Sequence, residues 1–453
     1  MVTVDRPKTD LAPVIAFVAN YPKPRYRAEI LKSVMRKAYL YDLVELIYTA
    51  GPLSRPALAR MTDVAPSHIS IMVRKALRYG LVVEEGVAPS TGGRPQILLQ
   101  ANPDLARLVG IDIGRLHVRV DVTDFRGSIL TTARLPAEHS KGRDHVLGVI
   151  HKEIESKRSQ FPGIAAIGVS HSGVIDARAG KVLLWPMIEG WDDTPLRQIF
   201  EDAHKLPAFV GDSVRARALA ESRFGQAKGL SNFVLVSVGS GIGSAIFFGG
   251  NLHVGRNGLA GELGHTTVEE NGKRCSCGNR GCLELFSSGL AILRRVREEL
   301  EQGVSSSLSK DLQGNLDQLS VESIIAAAKA HDRLSEAILS EAGLHVGTAL
   351  ATVVNLLNPE KVILTGKVAQ AGGDIFLNPL FYNLRQRALP QAVNDLPVVV
   401  SEIGEEAATI GMVLAAGDEL LKARCAELDR QDLARGTKRQ ELRVSARAGQ
   451  ILS

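Results

Sequence analysis

The residues with the most chemistry to offer stand together in GELGHTTVEENGKRCSCGNRGCLE, running from Gly261 to Glu284. His265, Cys275, Cys277 and Cys282 supply one imidazole and three thiols, the ligand set of a closed tetrahedral zinc site, and a closed site leaves no open position for water or substrate. The chemistry implied is a structural staple, not a hydrolytic centre. Gly272, Gly278 and Gly281 free the loop to double back so that three sulfurs can face one ion. The competing reading is three unrelated thiols, which sits poorly with so dense a cluster and a histidine upstream. Cys425, the remaining cysteine, falls in a helical apolar stretch and reads as core filling.

The elements that must position this segment belong to a long chain. At 453 residues and 45% apolar composition there is material for about three domains with real cores. No leader pattern and no apolar run long enough to span a bilayer are expected. With three of the four cysteines assigned to a metal, nothing calls for disulfides, which points to a reducing cytoplasm. The formal net charge of +5 is modest, so where the charge lies matters more than its sum. It lies at the ends. Lys23, Arg25, Arg27, Lys32, Arg36 and Lys37 form one basic run, and Arg430, Arg435, Lys438, Arg439, Arg443 and Arg447 another. Each suits a polyanion partner or serves only as a solubilising tail.

Beside the first basic run, LYDLVELIYTAG (Leu40–Gly51) carries apolar residues at helical spacing and ends on a glycine. LSRPALARM opens a second helix, with Ser54 as N-cap and Pro56 in its first turn. PSHISIMVRKALRYG makes a third, stopped by Gly80. LVVEE and QILLQ then read as two strands joined by the flexible tip GVAPSTGGRP. This is a winged helix-turn-helix, in which the third helix enters the major groove of double-stranded DNA and the tip reaches a neighbouring groove. Ser67, His68, Ser70, Arg74 and Lys75 are placed toward DNA on the helix, and Arg94 in the wing. Any one of them alone is equally a solvated surface residue; the assembly is more specific than its members.

From Leu105 the pattern becomes alternating strands and helices. LVGIDIGRLHVRVDVTDFRGSILTTARL gives a hairpin with its turn at Asp124–Gly127, followed by strands IAAIGVS and PAFVGD and intervening helices. FVLVSVGSGIGSAIFFGG opens a second set, completed by the metal segment, long helices, strand KVILTG and helix TIGMVLAAGDELL. Two α/β lobes are implied. The turn Gly239, Ser240, Gly241, Ile242, Gly243 has the glycines to approach a phosphate, although no helix opens after it as a dinucleotide fingerprint requires.

GSGIGSAIFFGGNLHVGRNGLAGELGH, the His/Cys loop and CLELFSS together resemble the signature of the ROK family, which holds bacterial sugar kinases and sugar-responsive repressors. The likeness runs over about Leu105–Leu420, and the winged helix with its GGRP tip resembles the repressor branch. It implies an actin-like, hexokinase-like pair of lobes with a sugar cleft between them. Kinases of the family carry Asp-x-Gly-Gly-Thr where this chain has Asp112, Ile113, Gly114, Arg115 and Leu116, so the first phosphate cradle is lost. VGDSVRARALAE keeps Asp212 at the position of the catalytic base but has Gly211 in place of an asparagine, and Met187 replaces another. Asp212, Glu262, His265 and Glu284 occupy the family's hydroxyl-binding positions, and carboxylates accept hydrogen bonds from vicinal hydroxyls. His265 then serves doubly, one ring nitrogen toward zinc and the other toward ligand.

The reading is an α/β chain: a basic arm (1–30), a winged helix-turn-helix (31–101), a first lobe (102–224) completed by a helix at 405–424, a second lobe with the zinc loop (225–404), and a basic, disordered tail (425–453). Its expected role is a cytoplasmic transcriptional regulator, a repressor of carbohydrate genes and not an enzyme. The expected cofactor is structural Zn2+; the partners are operator DNA, a sugar or polyol effector, and further copies of the chain in a homodimer or homotetramer, with no membrane. The competing class is a sugar kinase with a fused DNA-binding domain, which Asp212 and the glycine turn favour and Arg115, Leu116 and Gly211 oppose.

Overall fold

A computed structural model describes residues 40–88, 95–185, 188–313 and 315–451, with side chains described through Asp432. The expected basic arm, Met187 and Arg94 lie outside the described residues.

Three helices open the described chain: α1 (Leu40–Ala50), α2 (Arg55–Thr62) and α3 (Pro66–Arg78). Ser54 caps α2 by accepting the Ala57 N–H, as the Ser-x-Pro start predicts. Ile69, Met72, Val73 and Ala76 turn one face of α3 inward, and Gly80 takes the left-handed conformation (φ 65°) that ends it. Strands β1 (Leu53–Ser54), β2 (Val82–Val87) and β3 (Ile97–Ala101) complete the winged unit as a sheet of order β1-β3-β2.

Two five-stranded sheets follow, and they share one topology. In the first, β4 (Arg107–Ile113), β5 (His117–Thr123) and β6 (Ile129–Pro136) form an antiparallel meander, and β7 (Ile164–His171) and β10 (Ala208–Asp212) add in parallel on the other side of β4. Between them β8 (Val174–Asp176) and β9 (Lys181–Leu184) make a small hairpin. In the second, β11 (Phe233–Val238), β12 (Ile242–Phe248) and β13 (Asn251–His253) form the meander, while β14 (Lys361–Thr365) and β15 (Val398–Val400) add in parallel. Helices cover the parallel strands, as right-handed crossovers require. This repeat is the pair of α/β lobes that the alternating pattern implies, arranged as the actin-like pair that the resemblance implies.

The chain ends in a single helix, Ala407–Ile451, here called the closing helix. Its first turns lie on β4, β7 and the helix Ser213–Phe224; at the crossing a Cβ on Gly411 would sit 1.8 Å from the Ala216 carbonyl oxygen, so only glycine permits the approach. The helix does not stop at 424, and residues 425–451 are helical, not disordered. The physical reason is in the packing. Leu421, Cys425 and Leu428, on one face of the helix across two turns, are buried in a core shared with Leu43, Val44, Ile47 and Tyr48 of α1, Ile69 and Val73 of α3, and Leu108 and Phe125 of the first lobe. Cys425 fills that core, as its apolar surroundings suggest.

Polar contacts seal the same junction. Tyr41 donates to Asp418 (2.9 Å), Tyr79 to Asp432 (2.6 Å), and Arg126 to Glu85 (2.6 Å) and to the Ala101 carbonyl (2.7 Å). The Arg223 guanidinium lies 4.4 Å from the Tyr48 ring centroid. The second lobe has a large core of its own, and a smaller cluster joins Ala218 and Leu219 of the helix Ser213–Phe224 to Phe233, Leu235 and Ile363 of its sheet. One of its helices, Arg333–Leu357, is long and apolar enough by composition to cross a membrane, contrary to expectation. Ile338, Leu339, Ala342, Val346, Leu350 and Val354 on it are buried in the lobe's core beside Phe376 and Leu380, which accounts for its apolarity.

Candidate functional site

Three acids from three parts of the chain, Asp212, Glu262 and Glu284, form the candidate site. Asp212 ends β10 and caps the helix Ser213–Phe224, accepting the N–H groups of Val214 and Arg215 at 2.9 Å each. Burial raises its pKa, against those two N–H groups and the Arg215 charge. Arg215 donates to the carbonyls of Gly258 (2.6 Å) and Ala260 (2.9 Å), and so pins the loop that presents Glu262. Burial raises the pKa of Glu262; Asp212 and Glu284 push it the same way, while His265 and Arg215 oppose them. Asp212 and Glu284 both lie within electrostatic reach of Glu262, and with two of the three carboxyl pKa values raised by burial they make a polar patch suited to hydrogen bonding with neutral hydroxyls.

Glu284 is held by the glycine turn between β11 and β12. The Ile242 N–H donates to Glu284 Oε2 at 2.9 Å, and a Cβ on Gly241 would sit 2.8 Å from that oxygen. The glycines bring backbone up to a carboxylate, so the turn is occupied by protein and does not offer the phosphate cradle its sequence suggests.

The His/Cys loop begins three residues after Glu262, at His265. Ligand atoms of His265, Cys275, Cys277 and Cys282 all fall within 4.8 Å of one another. His265 Nδ1 is 3.7 Å from Cys275 Sγ, and Cys277 Sγ is 3.7 Å from Cys282 Sγ. Thiolates about 2.3 Å from a zinc ion at the tetrahedral angle lie about 3.8 Å apart, so the four groups fit a tetrahedral metal ion. Loop geometry is fixed by bridges pairing Thr267 with Cys282 and Arg274 with Arg280. Gly281 (φ 65°) is obligatory here, since a Cβ would lie 1.7 Å from the Glu269 carbonyl oxygen.

On α3, Ser67, His68, Ile71, Arg74 and Arg78 are exposed, and all but His68 share one ridge at spacings of three and four. Ser70 donates to the Pro66 carbonyl of its own helix (2.7 Å). Lys75 departs from the expectation that it faces DNA. It sits on the flank of α3 against the closing helix and pairs with Asp429 and Asp432, each at 2.8 Å. Arg78, which the sequence reading did not single out, is the exposed position four residues after Arg74 that continues this ridge.

A family model described as the ROK family matches residues 108–419. The chain belongs to the ROK family. The xylose repressor of Caldicellulosiruptor bescii is 32% identical over 374 residues, covering 82% of this chain and 92% of that one. A crystal structure of a ROK family transcriptional regulator, a homologue of the E. coli MLC protein, superposes with a TM-score of 0.72 at 30% identity over 86% of this chain and 98% of its own. A ROK family glucokinase from Streptomyces griseus, in complex with glucose and AMPPNP, superposes with a TM-score of 0.61 at 27% identity, over 99% of its length but 69% of this chain.

Against the ROK kinase pattern, the loop after β4 is altered in kind as well as in sequence. Arg115 is half-buried in it, its pKa lowered by burial against the raising charge of Glu284. A guanidinium therefore stands in the stretch that the resemblance matches to the kinases' first phosphate loop. At Gly211 the side without a side chain is filled by Met412 of the closing helix, whose sulfur lies 2.8 Å from where a Cβ would be.

Proposed function

We propose that this ROK protein is a DNA-binding transcriptional regulator, a repressor of carbohydrate metabolism or transport genes, whose operator affinity is set by a sugar or polyol in the cleft. The observation that carries the reading is the shared core. The winged unit, the first lobe and the closing helix bury Leu99, Leu108, Phe125, Leu421 and Leu428 together, so the helix that lies beside Asp212 also lies beside α3. Ser67, His68, Arg74 and Arg78 read the major groove or its phosphates, and the wing, with Arg94, reaches an adjacent groove. Asp212, Glu262 and Glu284 grip hydroxyls, with the second ring nitrogen of His265 turned to the ligand. A zinc ion bound by His265, Cys275, Cys277 and Cys282 would fix the loop that carries these groups; its role is structural.

The regulator acts in the cytoplasm as a homodimer or homotetramer, because two half-sites on one DNA face call for two copies of α3. A ligand that closes the lobes changes the separation of those copies, and coupling is reciprocal: whatever ligand does to DNA affinity, DNA does to ligand affinity. The kinase reading keeps only Asp212, since Arg115 fills the nucleotide side. The test is fluorescence anisotropy of the full chain on DNA from upstream of its own and neighbouring sugar-transport genes, across a panel of sugars and polyols. One compound that shifts the midpoint by tenfold or more supports the reading. Binding that ignores every compound removes the effector from it, and ATP turnover with any sugar restores the kinase.

A further inference from the structure

The closing helix has one face whose chemistry can be followed residue by residue. Leu421, Cys425, Leu428, Asp432, Arg435, Arg439, Arg443 and Arg447 succeed one another at steps of four, three, four, three, four, four and four. Steps of three and four keep positions on one ridge of an α-helix. The first three are buried against α1 and α3. At Asp429 and Asp432 the helix pairs with Lys75 and Tyr79, near the C-terminal end of α3. Asp429 meets Lys75, and Asp432 meets both Lys75 and Tyr79, the residue that caps the C-terminal end of α3, so the two helices run in the same direction. The closing helix then continues past Arg78, the last residue of α3, to Ile451.

Where α3 ends, the ridge turns from apolar and acidic to four arginines, with Lys438 beside them. Position 447 is about 22 Å beyond position 432 at the rise of an α-helix. Only one acid, Glu441, falls between 433 and 453. A solvated surface helix ordinarily alternates its charges; a run of one sign, four deep on one ridge and continuing the face that docks the DNA-reading unit, is the pattern of a surface that meets a polyanion.

We propose that the C-terminal extension of the closing helix, through Arg435, Arg439, Arg443 and Arg447, is a further DNA contact that lies along the phosphate backbone flanking the site read by α3. The inference rests on the DNA-binding reading above. It adds affinity without sequence choice, because phosphate contacts fix position and carry no base information. It also makes the helix that borders the cleft a direct DNA contact.

The experiment compares the full chain with the variant R435Q/R439Q/R443Q/R447Q on operator and on unrelated duplex of equal length, from 50 to 300 mM salt. Glutamine keeps helix propensity, and an unchanged thermal midpoint certifies the fold. The expected result is a tenfold or greater loss of affinity on both duplexes at about 100 mM salt, with the slope of log affinity against log salt reduced by about two to four. Restoration by the four-lysine variant shows that charge is what matters. Equal affinity and slope in variant and parent overturn the proposal, as does a variant whose only change is its sedimenting mass, which would make the ridge a contact between copies. A parent chain that binds neither duplex overturns the DNA-binding reading itself and is a distinct outcome.

Discussion

The two lobes repeat one topology but differ in what they are built into. The first shares its core with the winged unit through the closing helix, so Leu108, Phe125, Tyr48 and Leu428 belong to one buried cluster. The second holds a core of its own around Leu339, Val346, Leu350 and Phe376, and it carries the His/Cys loop, Glu262 and Glu284. Asp212 alone of the cleft acids stands on the body that includes α3. The difference teaches that, on the reading proposed above, a ligand gripped by both sets of acids would move the second lobe against a first lobe and winged unit that share one core. The winged unit is not an appendage on a linker.

The largest expected break in this comparison is at the metal loop. Cys277→Ser removes one of four ligands, and zinc measured by mass spectrometry falls from one per chain to near zero. Metal binding is folding free energy for such loops, about 10 kcal/mol or more in small zinc domains. The second lobe therefore loses several kcal/mol and unfolds at lower temperature, while the first lobe with the winged unit keeps its own transition. A chain that retains a full equivalent of zinc takes His265, Cys275, Cys277 and Cys282 out of the role assigned to them.

Next in size is the weld of the first lobe. Leu428 is 3% exposed in the shared core, and Leu428→Ala costs about 2–5 kcal/mol as a cavity in a packed site. The loss falls on the junction, so hydrogen exchange rises in α1 and α3 while the second lobe is unchanged. Operator binding persists with its response to ligand weakened. Equal exchange in both lobes would show that the core is not partitioned as described. Smaller again is Glu262→Gln, which trades a charged acceptor for a neutral one. Effector affinity falls about 10- to 100-fold, the loss of a charge-assisted hydrogen bond, and operator affinity without ligand is unaltered. A ligand that binds both forms equally does not touch Glu262.

What the sequence made legible were the features closed over short distances. Ser54 and Gly80 bound α2 and α3, and the metal ligands from Cys275 to Cys282 lie within one loop whose glycines permit the fold-back. The alternation of strands and helices announced two lobes. What stayed hidden were pairings made across hundreds of residues. Asp429 and Asp432 look like ordinary charges in a basic tail until Lys75 is found against them, and the tail looked disordered for the same reason. The glycine turn has the composition of a phosphate loop, and only the position of Glu284 shows that the Ile242 N–H is already engaged. Local caps and periodicity are written in consecutive residues; the partner that covers a face is not.

The smallest effect tests the junction where the closing helix meets α1. Tyr41 donates to Asp418 at 2.9 Å, and burial raises the pKa of Asp418 above the ordinary carboxylate value, with the Tyr41 hydrogen bond acting to lower it. A carboxyl whose folded pKa is raised stabilises the fold below its unfolded pKa, near 4, and that stability is lost as pH rises through the folded value. Tyr41→Phe removes the donor and drives the folded pKa further up. The cost is then about 1–2 kcal/mol at pH 7, where the ionised group has lost a bond, and smaller near pH 4, where it is protonated with or without Tyr41. Urea unfolding of both proteins at the two pH values gives the difference directly. A penalty independent of pH would mean that the hydroxyl acts only by packing against α1, and the ionisation of Asp418 would then have no part in holding the winged unit to the first lobe.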